Sequence, residues 1–180
     1  MAREVGTPAQ GPRRFWRDCV GAVAVETAMI SLLLVTLIAQ ALDFGWYVYC
    51  ALQVRMAAQA AVAQAAINCN TSAKLPATVN CSGLTTAMTT AAQQVSLGTG
   101  ISIASTTEGY YCHNTSASNA LTAKGSLASK PADCTPYSTD KPSDFIKVQT
   151  SYTFAPLFPG LSVVSPFAGP ISATAWMRVG

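Results

Sequence analysis

The stretch GAVAVETAMISLLLVTLIAQALDFGWYVYC, residues 21–50, decides the fold of this chain. Residues 22–42 contain 21 positions, and Glu26 is the only charged residue among them. About 20 predominantly apolar residues are enough to cross the hydrocarbon core of a bilayer. The aromatic residues that follow directly are Trp46, Tyr47 and Tyr49. Such side chains favour the membrane interface, and the stretch therefore predicts a transmembrane helix over about residues 22–45.

The composition of the 180 residues limits the class of protein. Half of the residues are hydrophobic and only 11% are charged, which is a low charged fraction for a soluble globular domain. The formal net charge is +3, and no cluster of Lys or Arg lies beyond the first 20 residues, so nucleic acid is not an expected partner. Polarity is carried instead by Ser, Thr, Asn and Gln, which suits a surface facing an extracytoplasmic space.

The helix is expected to continue beyond the membrane. Residues 51–68, ALQVRMAAQAAVAQAAIN, are rich in alanine and contain neither proline nor glycine, so their helix propensity is high. A continuous helix from Ala22 to Ile67 would be roughly 69 Å long at 1.5 Å per residue. Residues 1–21 then form a leader, and residues 68–180, with eight of the ten prolines, form an outer domain.

The charges around the apolar segment predict its orientation. Arg13, Arg14 and Arg17 stand just before it, whereas Asp43 and then Arg55 follow it. Positively charged flanks stay preferentially in the cytoplasm. We therefore expect a single-pass protein with a cytoplasmic N-terminus and an outer domain beyond the membrane.

A secretory signal peptide is the alternative interpretation of the same segment. A basic n-region, an apolar run and the A-x-A sequence at residues 39–41 are features that signal peptidase recognises. Cleavage after Ala41 would give a mature chain that begins at Leu42. The long apolar run, the charge of Glu26 at its start and the unbroken helix pattern across the cut position disfavour this interpretation.

The residues around Gly21 resemble a known signature. A basic leader, Gly21, four apolar residues and then Glu26 at the start of a hydrophobic helix resemble the prepilin motif of type IV pilins. The longer string RRFWRDCVGAVAVETAMISLLLVTLIAQALDFG is similar to the TadE family of the tight-adherence (Tad, or Flp-type) system. Asp43 and Gly45 match the acidic residue and the glycine near the outer end of the helix in that family, and ISATAWMRVG at 171–180 is similar to its closing strand. Thr27 departs from the Phe or Tyr that the family commonly has there.

The resemblance implies a non-enzymatic minor pilin or pseudopilin of a Tad-type pilus in the bacterial inner membrane. A prepilin peptidase would cut the precursor after Gly21, where glycine allows close approach to the backbone, and Ala22 would become the new N-terminus. The expected partners are the membrane, that peptidase, other pilin or pseudopilin subunits and the pilus assembly machinery. The expected activities are filament assembly, adhesion or secretion, without a cofactor.

Glu26 has a physical role in this scheme. An acidic side chain at the centre of a membrane helix costs about 2.5–3.5 kcal/mol on insertion scales. A pair of opposite charges about 4 Å apart recovers about 4 kcal/mol at an effective dielectric of 20. Pairing between Glu26 and the free amine of Ala22 on a neighbouring subunit would therefore set the register of an assembly at little net cost. The alternative is that Glu26 extends to the lipid headgroups, where its cost is smaller.

The outer domain shows alternating patterns typical of strands. They occupy residues 101–112, 144–154 and 171–179. Residues 83–98 predict a second helix with Thr85 or Thr86 near its N-cap and Gly98 at its C-cap. The predicted fold is α+β, with the long transmembrane helix packed on a three- to four-stranded antiparallel sheet and a second short helix, as in a pilin-like roll. Residues 155–170, which contain four prolines, are expected to form a loop or an amphipathic segment that touches the membrane or another subunit.

The six cysteines predict disulfides rather than a metal site. Cys19 lies in the leader, and Cys50 is expected to be an unpaired apolar residue. The four in the outer domain, which permit three pairings, are Cys69, Cys81, Cys112 and Cys134. We favour Cys69–Cys81 and Cys112–Cys134, which are nearest in sequence. With no C-x-x-C motif and His113 as the only histidine, neither zinc nor a Ser/His/Asp arrangement is expected.

The acidic residues of the outer domain lie among turn-forming residues. They are Glu108, Asp133, Asp140 and Asp144. Their scattered positions predict that they are solvated.

Overall fold

The long helix α1 organises the whole molecule. The structure, a computed structural model, describes residues 13–115, 120–164 and 169–179, with side chains from Gly21 onward. Helix α1 spans Arg13–Asn68. It ends within one residue of the predicted position but begins nine residues before Ala22, because no proline interrupts residues 13–68 and the helix continues through Gly21.

The two halves of α1 have different surroundings. The large apolar side chains from Val23 to Ile38 are all more than half exposed, since the half that carries them contacts no sheet. In the second half a stripe of small or β-branched residues is buried, and most of it is alanine. This stripe consists of Cys50, Val54, Ala57, Ala58, Ala61, Val62 and Ala65, and the buried Cys69 follows just after the helix ends. The spacing of three and four residues places the stripe on one face of the helix.

A four-stranded antiparallel sheet packs on that stripe. The strands are β1 (Ile101–Asn114), β2 (Ala120–Ala123), β3 (Ser143–Tyr152) and β4 (Ile171–Arg178), in the spatial order β2-β1-β3-β4. The predicted α+β fold with a three- to four-stranded antiparallel sheet is therefore confirmed, although the sequence pattern did not predict the position of the short edge strand β2. A bulge between Ile103 and Ser105 shifts the register of β1 against β3, which increases the local twist.

Strand alternation decides which face of the sheet meets the helix. Ile146, Val148 and Thr150 of β3 are fully buried, as their period of two predicts. The Thr150 hydroxyl donates a hydrogen bond of 3.0 Å to the carbonyl oxygen of Val54 in α1. The sheet and the helix are thus joined by a buried polar contact within the apolar core. Phe154 lies within the predicted strand range 144–154 and is buried, although β3 ends at Tyr152.

Two short helices close the side of the core. They are α2 (Ala77–Asn80) and α3 (Leu84–Ala92). Helix α3 is shorter than the predicted 83–98, because the chain turns at Gln93 and Gly98 begins a separate 3₁₀ turn. Gly83, not Thr85 or Thr86, is the N-cap, and its φ of +76° explains why glycine is needed there.

Two disulfides connect the elements of the outer domain. Cys69 at the end of α1 pairs with Cys81, with the Cα atoms 5.8 Å apart. Cys112 of β1 pairs with Cys134, with the Cα atoms 5.5 Å apart. This is the pairing that the sequence favours, and Cys50 is buried and free, as expected.

The alanine stripe makes a stability prediction. Replacing Ala61 by leucine adds bulk where the side chain is fully buried against the sheet, and overpacking of this kind costs about 1–3 kcal/mol. Ala63→Leu, a matched change on a half-buried position of the same helix, should change the unfolding free energy much less. Urea unfolding of the outer domain in detergent-solubilised protein measures both. Equal midpoints for the two variants would contradict the proposed packing.

Candidate functional site

The exposed half of α1 is the first component of the candidate site. An 18-residue window of this helix has a mean hydropathy of 2.2, and only 6% of that window is buried within the protein. The described residues thus contain one helix long and apolar enough to span a membrane. Its exposure distinguishes it from the core helix of a soluble protein, which buries its apolar face.

Glu26 is the only ionisable side chain on this exposed surface from Gly21 to Leu42. It is exposed, and no described residue gives it a hydrogen bond or an ion pair. The two threonines nearby are satisfied within the helix, because Thr27 Oγ1 donates to the Val23 carbonyl oxygen and Thr36 Oγ1 donates to that of Leu32, both at 2.8 Å. Glu26 is therefore available to a group outside the described residues.

Gly21 and Ala22 lie inside a continuous helix. A Cβ atom added at Gly21 would meet nothing within 4 Å, so packing does not require glycine there. Glycine in a helix interior costs about 1 kcal/mol relative to alanine. Gly21 thus lowers the local stability of the helix, and packing does not explain why glycine stands there. The three arginines of the leader lie on the first turns of α1, and their side chains fall outside the described set.

Asp43 is the centre of the junction between the apolar helix and the outer domain. Its side chain is fully buried. The backbone N–H of Leu157 donates to Asp43 Oδ1 at 2.8 Å, and the Ser162 hydroxyl donates to Oδ2. A buried carboxylate needs such donors because an unsatisfied one is strongly disfavoured. The sequence resemblance singled out Asp43, and the structure shows which loop it holds.

Two further side chains attach the same loop to α1. The Val163 N–H donates to Gln40 Oε1 at 3.0 Å, and Gln40 Nε2 donates to the Leu161 carbonyl oxygen. Trp46 Nε1 donates to the Ala155 carbonyl oxygen at 3.2 Å. The described part of the proline-rich loop therefore contacts its own helix, which the sequence did not predict. The polar residues Gln40 and Asp43, which interrupt the apolar run, were the sequence signal for this contact. The sequence did not identify their partners, because these lie more than 100 positions away.

An open groove adjoins this junction. It has a volume of about 500 Å³, and its lining includes Leu42, Gly45, Trp46, Tyr49, Leu97 and Leu157. The groove is open at Gly45, because a Cβ atom added there would meet nothing within 4 Å. The indole of Trp46 stacks on the ring of Tyr49 at 5.4 Å between centroids, so an aromatic pair stands where the exposed apolar surface ends.

The prediction that the acidic residues of the outer domain are solvated is wrong for two of them. Asp144 is only 1% exposed. Glu108 accepts hydrogen bonds from the Ala77 N–H at 2.5 Å and the Thr78 N–H at 2.6 Å. Both lie on strands, where the alternation of the chain carries them to the inner face of the sheet.

The other two acidic residues are exposed. Asp133 forms an ion pair of 3.3 Å with Lys124, and a hydrogen bond from the Thr135 N–H, followed by that from Lys124, lowers the pKa of Asp133. Asp140 is exposed. Among the described side chains no group of three or more His, Cys, Asp or Glu residues is placed to hold a metal ion.

Comparisons with known protein families, with curated proteins and with solved structures find no match. Two features of the structure bear on function: the uncovered apolar helix with Glu26, and the hydrogen-bonded junction around Asp43.

The junction makes the second prediction. Asp43→Ala removes the acceptor of the Leu157 N–H and of the Ser162 hydroxyl, and an unsatisfied buried donor costs about 1–3 kcal/mol. Asp43→Asn keeps the shape of the side chain and one acceptor oxygen, so it should lower the unfolding free energy by less than Asp43→Ala does. Urea midpoints and the rate of proteolysis within residues 155–164 report both changes. Unchanged values in Asp43→Ala would show that the loop does not depend on this carboxylate.

Proposed function

We propose that this chain is a TadE-like minor pilin or pseudopilin of a Tad-type pilus, acting in pilus assembly, adhesion or secretion. In this proposal α1 anchors it in the bacterial inner membrane, with the N-terminus in the cytoplasm and the outer domain in the periplasm. The observation that carries the proposal is Glu26: an exposed carboxylate without a described partner, five residues after Gly21, on a helix surface that is otherwise uncharged.

The energetics of Glu26 support a partner on another molecule. A charge in this position disfavours insertion, by about 2.5–3.5 kcal/mol at the centre of a bilayer and less near its edge. A carboxylate is therefore a disadvantage to a simple anchor. A neighbouring subunit cut after Gly21 would present the amine of Ala22, which is the opposite charge that the carboxylate lacks.

Gly21 supports processing at the same place. Side chains fit at this position, yet the chain has the residue that most weakens a helix other than proline. A peptidase must draw the cleaved peptide bond out of its helical hydrogen bonds, and glycine eases both the unwinding and the approach to the backbone. Prepilin peptidase is the proposed enzyme.

The alternative is a secreted or membrane-anchored adhesin-like binding domain that signal peptidase cuts near Ala41. Cleavage there would detach Gln40, whose side chain holds Leu161 and Val163 of the outer domain. It would also leave Asp43 within two residues of a new chain end. These contacts favour a helix that remains in one piece.

Sequencing of the mature N-terminus separates the two functions. We expect Ala22 for the pilin-like subunit, whereas Leu42 would support the adhesin-like alternative. Gly21→Leu should accumulate as an inserted, uncut precursor, because a bulky side chain now lies at the cleavage position.

The Glu26 variants then test assembly. Glu26→Ala and Glu26→Gln should insert and be cut at least in part, yet fail to co-purify with the pilus machinery, because a buried amine would lack its counter-charge. Glu26→Asp should be intermediate, since it keeps the charge with less reach. Thr36→Ala, which removes a polar group satisfied within the same helix, is the matched control. Normal pilus counts in Glu26→Ala, with the protein processed and present at its usual level, would remove the assembly role.

The proposed orientation has its own test. Arg13, Arg14 and Arg17 should hold the leader in the cytoplasm. A reporter active only in the periplasm, fused after Gly180, should therefore be active, and replacing the three arginines by glutamine should reduce its activity. An intact but silent fusion of the unaltered chain would contradict the orientation.

A further inference from the structure

Asp144 is a buried carboxylate without a donor. It stands near the start of β3 with 1% of its surface exposed, and none of the described residues donates a hydrogen bond to either of its side-chain oxygens. Burying an unpaired carboxylate is strongly unfavourable, and such a group binds a proton instead. The arrangement of its neighbours shows how the proton is accommodated.

Glu108 is the carboxylate beside Asp144, and its charge adds to burial in raising the pKa of the Asp144 carboxyl. Asp144 pairs with Tyr110 and Glu108 pairs with Ile146 across β1 and β3, so the two carboxylates are diagonal neighbours on the inner face. An ionised carboxylate only accepts hydrogen bonds. A bond between two carboxylates therefore exists only when one of them carries a proton.

The hydrogen bonds of Glu108 decide which residue carries it. Both Glu108 oxygens are used as acceptors at the start of α2, from the N–H groups of Ala77 and Thr78 and from the Thr78 hydroxyl. These donors suit a carboxylate that remains an acceptor. Asp144 has no such donors, and a proton on it would satisfy both groups at once.

We propose that Asp144 holds a proton that it shares with Glu108, and that this pair is a proton-binding site whose occupancy stabilises the outer domain. The proton completes a chain of contacts from β3 through Glu108 of β1 to the start of α2, the segment that the Cys69–Cys81 disulfide ties to α1. Loss of the proton places a second negative charge on the buried Asp144 beside Glu108, and it weakens the attachment of α2 to the sheet. This inference does not depend on the proposed pilus function.

The charges around the pair are consistent with a bound proton near neutral pH. Burial, followed by the charge of Glu108 and the hydrogen bond with it, raises the pKa of Asp144 to about 7, and Lys130 opposes this. Burial, followed by the charges of Asp144 and Glu108, raises the pKa of the Tyr110 hydroxyl. Lys130 lies over the Tyr110 ring, 5.7 Å from its centroid.

Among the described residues, the helices and the neighbouring strand β4 place no further charge on the inner face. No ionisable side chain occurs in α2, in α3 or in α1 after Arg55. Asp140 and Lys141, just before β3, are exposed. Arg178 of β4 pairs with Phe145, so its position belongs to the opposite face of the sheet.

The sign of the pH dependence follows from the raised pKa. In the unfolded chain an aspartate ionises near pH 4, whereas Asp144 in the folded protein keeps its proton up to about pH 7. The stabilisation is complete below about pH 4, and it is lost as the pH rises through about 7. Between these values the folding equilibrium constant should fall about tenfold per pH unit from this site. The outer domain should be more stable in mild acid than above neutrality.

The test compares urea unfolding of the full-length chain in detergent between about pH 4 and pH 8 with that of Asp144→Asn. The amide has the shape of the protonated acid but does not titrate. The unfolding free energy of this variant should therefore lack the pH dependence assigned to Asp144. Lys130→Gln should move the loss of stability to higher pH, because Lys130 opposes proton binding. Asp140→Asn, a matched change at an exposed aspartate, should keep the slope of the unaltered protein.

Three results would overturn the proposal. One is an equal pH slope in the unaltered chain and in Asp144→Asn. The second is stabilisation by Ca²⁺ or Mg²⁺ at pH 8, reversed by EDTA and absent in Asp144→Asn, which would identify a metal cation rather than a proton as the ligand. The third applies if Asp144→Asn does not fold. In that case ¹³C NMR follows the aspartate carboxyl groups of the labelled, unaltered protein as the pH changes. The absence of a carboxyl group that titrates near neutral pH would contradict the proposal.

Discussion

The close approach of the sheet to the alanine stripe of α1 is the constraint on which the rest of the structure depends. Only small side chains allow strands β3 and β4 to lie against a helix over four turns, and Ala57, Ala61 and Ala65 are fully buried there. Among the described elements, no other long helix covers the inner face of the sheet. The same helix that carries the exposed apolar segment is therefore one wall of the core of the outer domain.

This shared helix joins the two proposed functional regions mechanically. Asp43, Gln40 and Trp46 hold the loop after β3 against the turns where the exposed segment ends. A displacement of Glu26 along the helix axis is thus passed to the outer domain without a flexible linker between them. A subunit that sets the register of an assembly through one charged pair requires such rigidity, because pairing is useful only if it fixes the position of the rest of the protein.

The outer domain itself is stabilised by connections between distant segments. The apolar core is small, and two disulfides close loops around it, which suits an oxidising compartment. The Asp144–Glu108 pair adds a polar connection between β1, β3 and α2 that depends on a proton. These connections lie on the inner side and at the end of the sheet, whereas the opposite face carries the aromatic contacts of Tyr111 with Phe145 and Trp176.

The sequence by itself determined the elements whose signals are local. The apolar run, the absence of proline and the abundance of alanine predict α1, and the alternation of Ile146, Val148 and Thr150 predicts the buried face of β3. The proximity of the cysteines in sequence also gave the correct disulfides. Local patterns could not show that Asp43 is satisfied by Leu157 and Ser162, or that Asp144 and Glu108 meet. The reason is physical: the burial of a polar side chain depends on partners that only the pairing of strands and the packing of the helix bring within hydrogen-bonding distance, and those partners are tens to more than a hundred residues away along the chain.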